Sequence, residues 1–249
     1  MPISSLIILI ILFFVTSIVG VVTGSNSLIT VPVMFQFGID PKIAVATNMF
    51  GLTFMNIGAT IPFLRQGAID VKKVSPLILI TLVASAIGAG LVIFITTQNI
   101  KLLVSVAMIC VTIFTLLKRD AGIAAAEVSN RARILTYVLT FALGVYGGLY
   151  SGGYVTMLTA VYVAFFGMTF TESVASTKLI NVFSSSIASL IFIWQGLVDY
   201  KLGAILAVTM FIGAYIGAYT VTKFNDVWLK RIFIATVLIL AIKTILDFI

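Results

Sequence analysis

The chain is a succession of long apolar runs separated by short polar connections, and this pattern leaves it few ways to fold. The runs occupy residues 3–23, 28–37, 43–64, 74–97 and 102–117, then 134–150, 154–166, 173–194, 202–221 and 229–248. A helix needs about 20 apolar residues to cross a hydrocarbon core, so most of these runs read as membrane spans. The pieces at 28–37 and 154–166 are too short to span as straight helices. Hydrophobic residues make up 61% of the 249 residues and charged ones 9%. A soluble domain carries roughly 25% charged residues, so this chain could not cover a water-facing surface. Disorder, a disulfide scaffold and a nucleic-acid module are excluded on the same ground. Cys110 is the one cysteine and there is no histidine. The run that begins at Met1 lacks a basic leader and a small-residue cleavage site, and reads as a retained helix. The expected class is an all-α polytopic membrane protein, multi-pass in the cell inner (plasma) membrane, with the lipid bilayer as its partner.

The runs fall into two sets of five, which points to internal duplication. Phe37-Gly38 matches Phe166-Gly167, and Ala46-Thr47-Asn48 matches Ser176-Thr177-Lys178. The stretch QGAIDVK from Gln66 matches QGLVDYK from Gln195. These offsets are 129 or 130, which implies one inserted residue in the connection. The expected units are a first transmembrane repeat at 1–117, a cytoplasmic connector at 118–133, read as a solvated link or else an amphipathic surface helix, and a second repeat at 134–249.

Basic residues orient the two halves. Connections at 65–73, 118–133 and 223–231 hold Arg65, Lys72, Lys73, Lys118, Arg119, Arg131, Arg133, Lys223, Lys230 and Arg231. The opposite set holds Lys42, Lys101, Lys201 and Lys243. Positive residues favour the cytoplasmic side, so the connection at 65–73 reads as inside and its counterpart at 196–201 as outside. The halves are then inverted relative to each other, each with a broken helix or re-entrant hairpin, which is an architecture of secondary transporters.

Polar groups within the apolar runs mark the candidate site. Non-helical backbone survives at membrane depth only where protein or a water-filled cavity covers it. The short runs each follow such a break, Gly24-Ser25-Asn26-Ser27 in one half and Ser151-Gly152-Gly153 in the other. Each break leads into a helix N-terminus, where free N–H groups and the positive dipole end suit an anion. Ser25, Asn26 and Ser27 add side-chain donors. Behind the breaks, Thr47, Asn48, Asn56 and Thr60 form one polar set. Thr177, Asn181, Ser185 and Ser189 stand four apart and make one face of a helix. Such stripes either line a path or hydrogen-bond helices together. Lys178 lies beside Thr177, where it is either a substrate contact or an anchor snorkelling to the interface.

The absences also discriminate. Asp40, Asp70, Glu172, Asp199 and Asp226 all fall in connections. Without a deep carboxylate or a histidine, proton relay through such a group is unsupported. Ser151 has no histidine base, so the chain reads as no enzyme. No cluster of carboxylate, thiol or imidazole ligands points to a metal, and no cofactor is expected.

These motifs resemble the TauE/SafE family of sulfite and organosulfonate exporters over nearly the whole chain. The elements that carry the resemblance are the stretch 24–32 with its Pro32, Ala44-Val45-Ala46-Thr47-Asn48 and Gly67-Ala68-Ile69-Asp70. In the second half they are the stretch 147–153, Ala175-Ser176-Thr177-Lys178 and Gly196-Leu197-Val198-Asp199. The resemblance implies two four-helix repeats, about eight transmembrane helices in all, which would merge each short run with a neighbour. It also implies export of a small anionic substrate such as sulfite, sulfoacetate or a related sulfonate. The chain departs from the family pattern in two places. Ser25-Asn26-Ser27 replace a glycine triplet, and no proline follows the second break. The expected substrate-binding set is Ser25, Asn26, Ser27, Thr47, Asn48, Asn56, Ser151, Gly152, Gly153, Thr177, Lys178, Asn181 and Ser185. A permease for another small organic anion or amino acid, and a non-transporting membrane scaffold, stay open.

Overall fold

The computed structural model describes residues 3–24, 26–96, 98–99, 128–221 and 223. Eight α-helices lie among them: α1 Ile3–Thr23, α2 Ser27–Gln36, α3 Pro41–Arg65, α4 Val71–Leu91, α5 Asn130–Leu149, α6 Tyr154–Phe165, α7 Phe170–Trp194 and α8 Tyr200–Val221. A 3₁₀ turn, Val92–Phe94, extends α4. Six of the eight are long and apolar enough to cross a membrane, whereas α2 and α6 are shorter. The runs at 102–117 and 229–248 lie outside the described residues, as do Ser25, Cys110, Lys101 and connector residues 118–127. α5 starts at Asn130 within the expected connector, so Arg131 and Arg133 sit in its first turn, behind a Ser129 cap that accepts from Ala132 N at 3.2 Å.

Local sequence explains where the helices stop and start. The repeated Gln-Gly-x-[Ile/Val]-Asp element ends one helix and begins the next. Gly67 (φ 68°) and Gly196 (φ 69°) take the left-handed conformation that closes α3 and α7. Ala68 N bonds to Phe63 O and Leu197 N to Phe192 O, each at 3.0 Å, which satisfies carbonyls left over at the helix ends. Asp70 and Asp199 then cap α4 and α8, accepting from Lys73 N at 3.1 Å and Leu202 N at 3.0 Å. Asp40 caps α3 with Pro41 in its first turn. Thr169 and Glu172 make a reciprocal capping box for α7. All four described carboxylates therefore serve helix starts.

Backbone features recur at one spacing. Left-handed glycines come in three pairs 129 residues apart: Gly24 and Gly153, Gly38 and Gly167, Gly67 and Gly196. The bounds of α3 and α7 keep that same spacing, so no residue is inserted between them. Ala46-Thr47-Asn48 consequently aligns with Ala175-Ser176-Thr177, and Lys178 has Met49 as its counterpart. This corrects the 130-residue offset expected from the sequence.

The helices form two bundles that exchange a member. α8 packs on α1 and α3, while α4 packs on α5 and α7, and neither α4 nor α8 packs appreciably on the helix immediately before it. Small residues allow the close crossings. A Cβ on Gly88 would meet Val145 O at 1.9 Å, and one on Gly217 would meet Ile18 O at 2.5 Å. α3 and α7 join the bundles, in part through Thr53 and Ser189, whose hydroxyls are 3.3 Å apart.

The bonds also give helix directions. Asp199 N donates to Thr47 Oγ1 at 3.0 Å and Arg65 Nη1 to Tyr215 OH at 3.3 Å, so α3 and α8 run parallel. α7 leads into α8 through a tight reversal and therefore runs against α3. Lys73 lies 5.4 Å from the Phe166 ring centroid, which brings the starts of α4 and α7 to one end. Arg65, Lys72, Lys73, Arg131, Arg133 and Lys223 thus share that end of the molecule, while Lys42 and Lys201 occupy the other.

Candidate functional site

The two helix breaks touch each other among buried residues. Gly24 ends α1 in the left-handed conformation, and a Cβ there would lie 2.8 Å from both Thr156 N and Val155 Cβ. Only glycine allows that approach. Thr156 Oγ1 donates to Thr23 O at 2.6 Å, and Tyr150 OH donates to Ser27 O at 2.9 Å. Tyr146 OH donates to Gly152 O and holds the second break in shape.

Around this junction lies a cavity of about 10 Å³, lined by Gly20, Gly24, Asn26, Ser27, Leu52, Met55, Asn56, Ser151, Val155, Lys178 and Asn181. That volume has room for roughly one water, so the site is closed to anything larger in this conformation. Six expected residues meet here: Asn26, Ser27, Asn56, Ser151, Lys178 and Asn181.

Lys178 dominates the electrostatics. It is 1% exposed, and its Nζ donates to Gly20 O at 2.9 Å. The interfacial-anchor alternative does not fit this burial. Gly20 O belongs to the last turn of α1, so the ammonium rests on the negative end of that helix dipole. An ammonium has three N–H groups to place. The described carboxylates stand at helix starts, so Lys178 has no acidic partner among the described residues.

Two amide oxygens complete the site. Asn26 Nδ2 reaches Met55 Sδ at 3.1 Å and Ser17 Oγ at 3.3 Å, while its Oδ1 has no hydrogen-bond partner among the described residues. Asn181 Oδ1 is likewise buried and unpartnered. Asn56 is tied to its own helix by Nδ2 donating to Leu52 O at 2.7 Å.

The remaining expected residues surround the cavity or glue helices. Asn48 accepts from Thr30 Oγ1 and donates to Ser27 Oγ, both at 2.8 Å, which fixes α2 on α3. Thr47 ties α3 to the start of α8. Thr177 donates to Val174 O at 2.9 Å and faces Thr159 of α6 at 3.4 Å. Ser185 donates back to Asn181 O within its own helix. Gly152 and Gly153 shape the second break. The polar face of α7 is thus glue at Thr177 and Ser189, and it lines the cavity only at Asn181. Sequence reasoning missed Gly20, Met55 and Tyr150. A glycine one turn before a break is the sole signal that could have found Gly20. Nothing local announces that Tyr150 bonds a backbone carbonyl 123 residues away.

The sulfite exporter TauE/SafE family model matches residues 8–244. The probable membrane transporter protein YfcA of Escherichia coli (strain K12) is 27% identical over 246 residues, covering 95% of this chain and 89% of that one. The probable membrane transporter protein ORF9 of Sinorhizobium sp is 25% identical, covering 94% and 90% of the two chains. The probable membrane transporter protein YdhB of Bacillus subtilis (strain 168) is 24% identical, covering 90% and 92%. No solved structure matches.

Proposed function

The chain belongs to the sulfite exporter TauE/SafE family of membrane transporters, and from that premise we propose that it carries a small sulfur-containing anion across the inner membrane by alternating access. The class comprises sulfite, sulfoacetate and related sulfonates. One observation carries this reading: a lysine buried where the two breaks meet, with no acidic partner among the described residues. A desolvated cation at membrane depth is costly, and an anionic cargo offsets the cost each time it binds. Neutral donors of the breaks, Ser27 and Ser151 among them, surround that charge.

The inverted duplication belongs to the same proposal. Its support is the three glycine pairs 129 residues apart, the opposed directions of α3 and α7, and the gathering of described basic residues at one end. The last of these favours that end as cytoplasmic. The cavity is too small for such an anion, so the two bundles must part to admit cargo. In proteoliposomes, uptake of labelled sulfonate should fall at least tenfold in both Lys178→Leu and Asn26→Leu. Full flux in both variants would sink the site.

A further inference from the structure

The residues around the cavity include two with buried acceptors that an anion cannot satisfy. Asn26 (4% exposed) and Asn181 (2% exposed) both line the cavity, and neither Oδ1 has a hydrogen-bond donor among the described residues. Asn26 sits in the first break and Asn181 on α7, so the two oxygens come from different bundles. A buried acceptor without a donor is rare, and such an exception calls for an explanation. Packing does not supply one, since an apolar side chain would fill the same space without the desolvation cost.

A ligand that was acceptor on every face would satisfy Lys178 and then present negative oxygens to these two amide oxygens. A ligand with its own O–H or N–H would satisfy both sets. We propose that the cavity selects an anion that carries a hydrogen-bond donor, either a protonated oxyanion or a sulfonate bearing a hydroxyl or amino group, with Lys178 holding the charged end and Asn26 and Asn181 accepting from the donor. The inference rests on the anion-transport reading and narrows it, because sulfoacetate and fully deprotonated sulfite lack such a donor.

Sites built to accept from a substrate O–H or N–H discriminate strongly against analogues without it. Two pairs of probes isolate the donor. Hydrogensulfite and chlorate are pyramidal three-oxygen monoanions, compared at a pH acidic enough to keep the first protonated. 2-Hydroxyethanesulfonate and propane-1-sulfonate differ by a hydroxyl in place of a methyl. Purified full-length protein in proteoliposomes should move the donor-bearing member of at least one pair roughly tenfold faster or more. The pair that responds tells whether the donor is on the oxyanion or on its substituent. Asn181→Leu should erase the preference through loss of flux for the donor-bearing member. Equal flux within both pairs in the wild type overturns this inference and leaves anion transport standing. A preference that survives in Asn181→Leu removes Asn181 as acceptor and overturns the assignment. Failure to move any of the four probes overturns the transport reading along with it.

Discussion

Lys178 is costly to the fold. With one carbonyl partner and no counter-ion among the described residues, its buried ammonium loses more hydration than it regains. Lys178→Met should therefore stabilise the protein by about 1 kcal/mol or more while abolishing flux, and a thermal melt beside a transport assay reads both. A fall in both would make Lys178 a structural pin. Gly24 is the opposite case. With φ 67° and Thr156 N 2.8 Å from any added Cβ, Gly24→Ala should cost on the order of 2 kcal/mol and separate the breaks, as a lowered melting temperature. Part of this site was legible in the sequence. Asn26 and Lys178 stand out because polar side chains are expensive in lipid. Their partners were not legible, since Gly20 contributes a carbonyl that every residue has, and the reach of Asn26 to Ser17 and Met55 depends on tertiary placement.

Among the helices, α4 gives the sharpest test of packing. Gly88 faces α5 with no space for a Cβ, whereas Gly90, two residues on, has nothing within 4 Å. Gly88→Ala should lower the melting temperature, and Gly90→Ala should raise stability by about 0.5–1 kcal/mol through helix propensity alone. A like sign for both would remove the close α4–α5 crossing. Removing a cap should act more mildly: Asp70→Ala and Asp199→Ala are each expected to cost about 1 kcal/mol in a thermal melt. At this scale the sequence was a good guide, because the signals are local. The Gln-Gly-x-[Ile/Val]-Asp element states a stop and a start within five residues, and both copies fold that way. The stripe on α7 misled because its four-residue spacing gives a shared face without saying what the face meets. Thr177 meets α6, Asn181 the cavity and Ser189 α3.

In the whole molecule, the exchange of α4 and α8 decides what holds the chain together. Consecutive elements are usually neighbours in space, so nothing in the order of the runs announces that these two leave their predecessors. Because each bundle takes a helix from the other half, the halves should associate without a covalent link. Co-expressed pieces divided within residues 118–127 should co-purify and transport together. Recovery of only separate pieces would contradict the exchange.

The exchange also sets an order of assembly during synthesis. α4 meets its partners as soon as α5 and α7 follow it, so that bundle can close early. α1 and α3 must wait, their small-residue crossings uncovered, until α8 has followed α7. Among the described helices, these two are made before the α4 bundle yet sealed after it. A ribosome stalled before Tyr200 would leave them open to whatever else inhabits the bilayer.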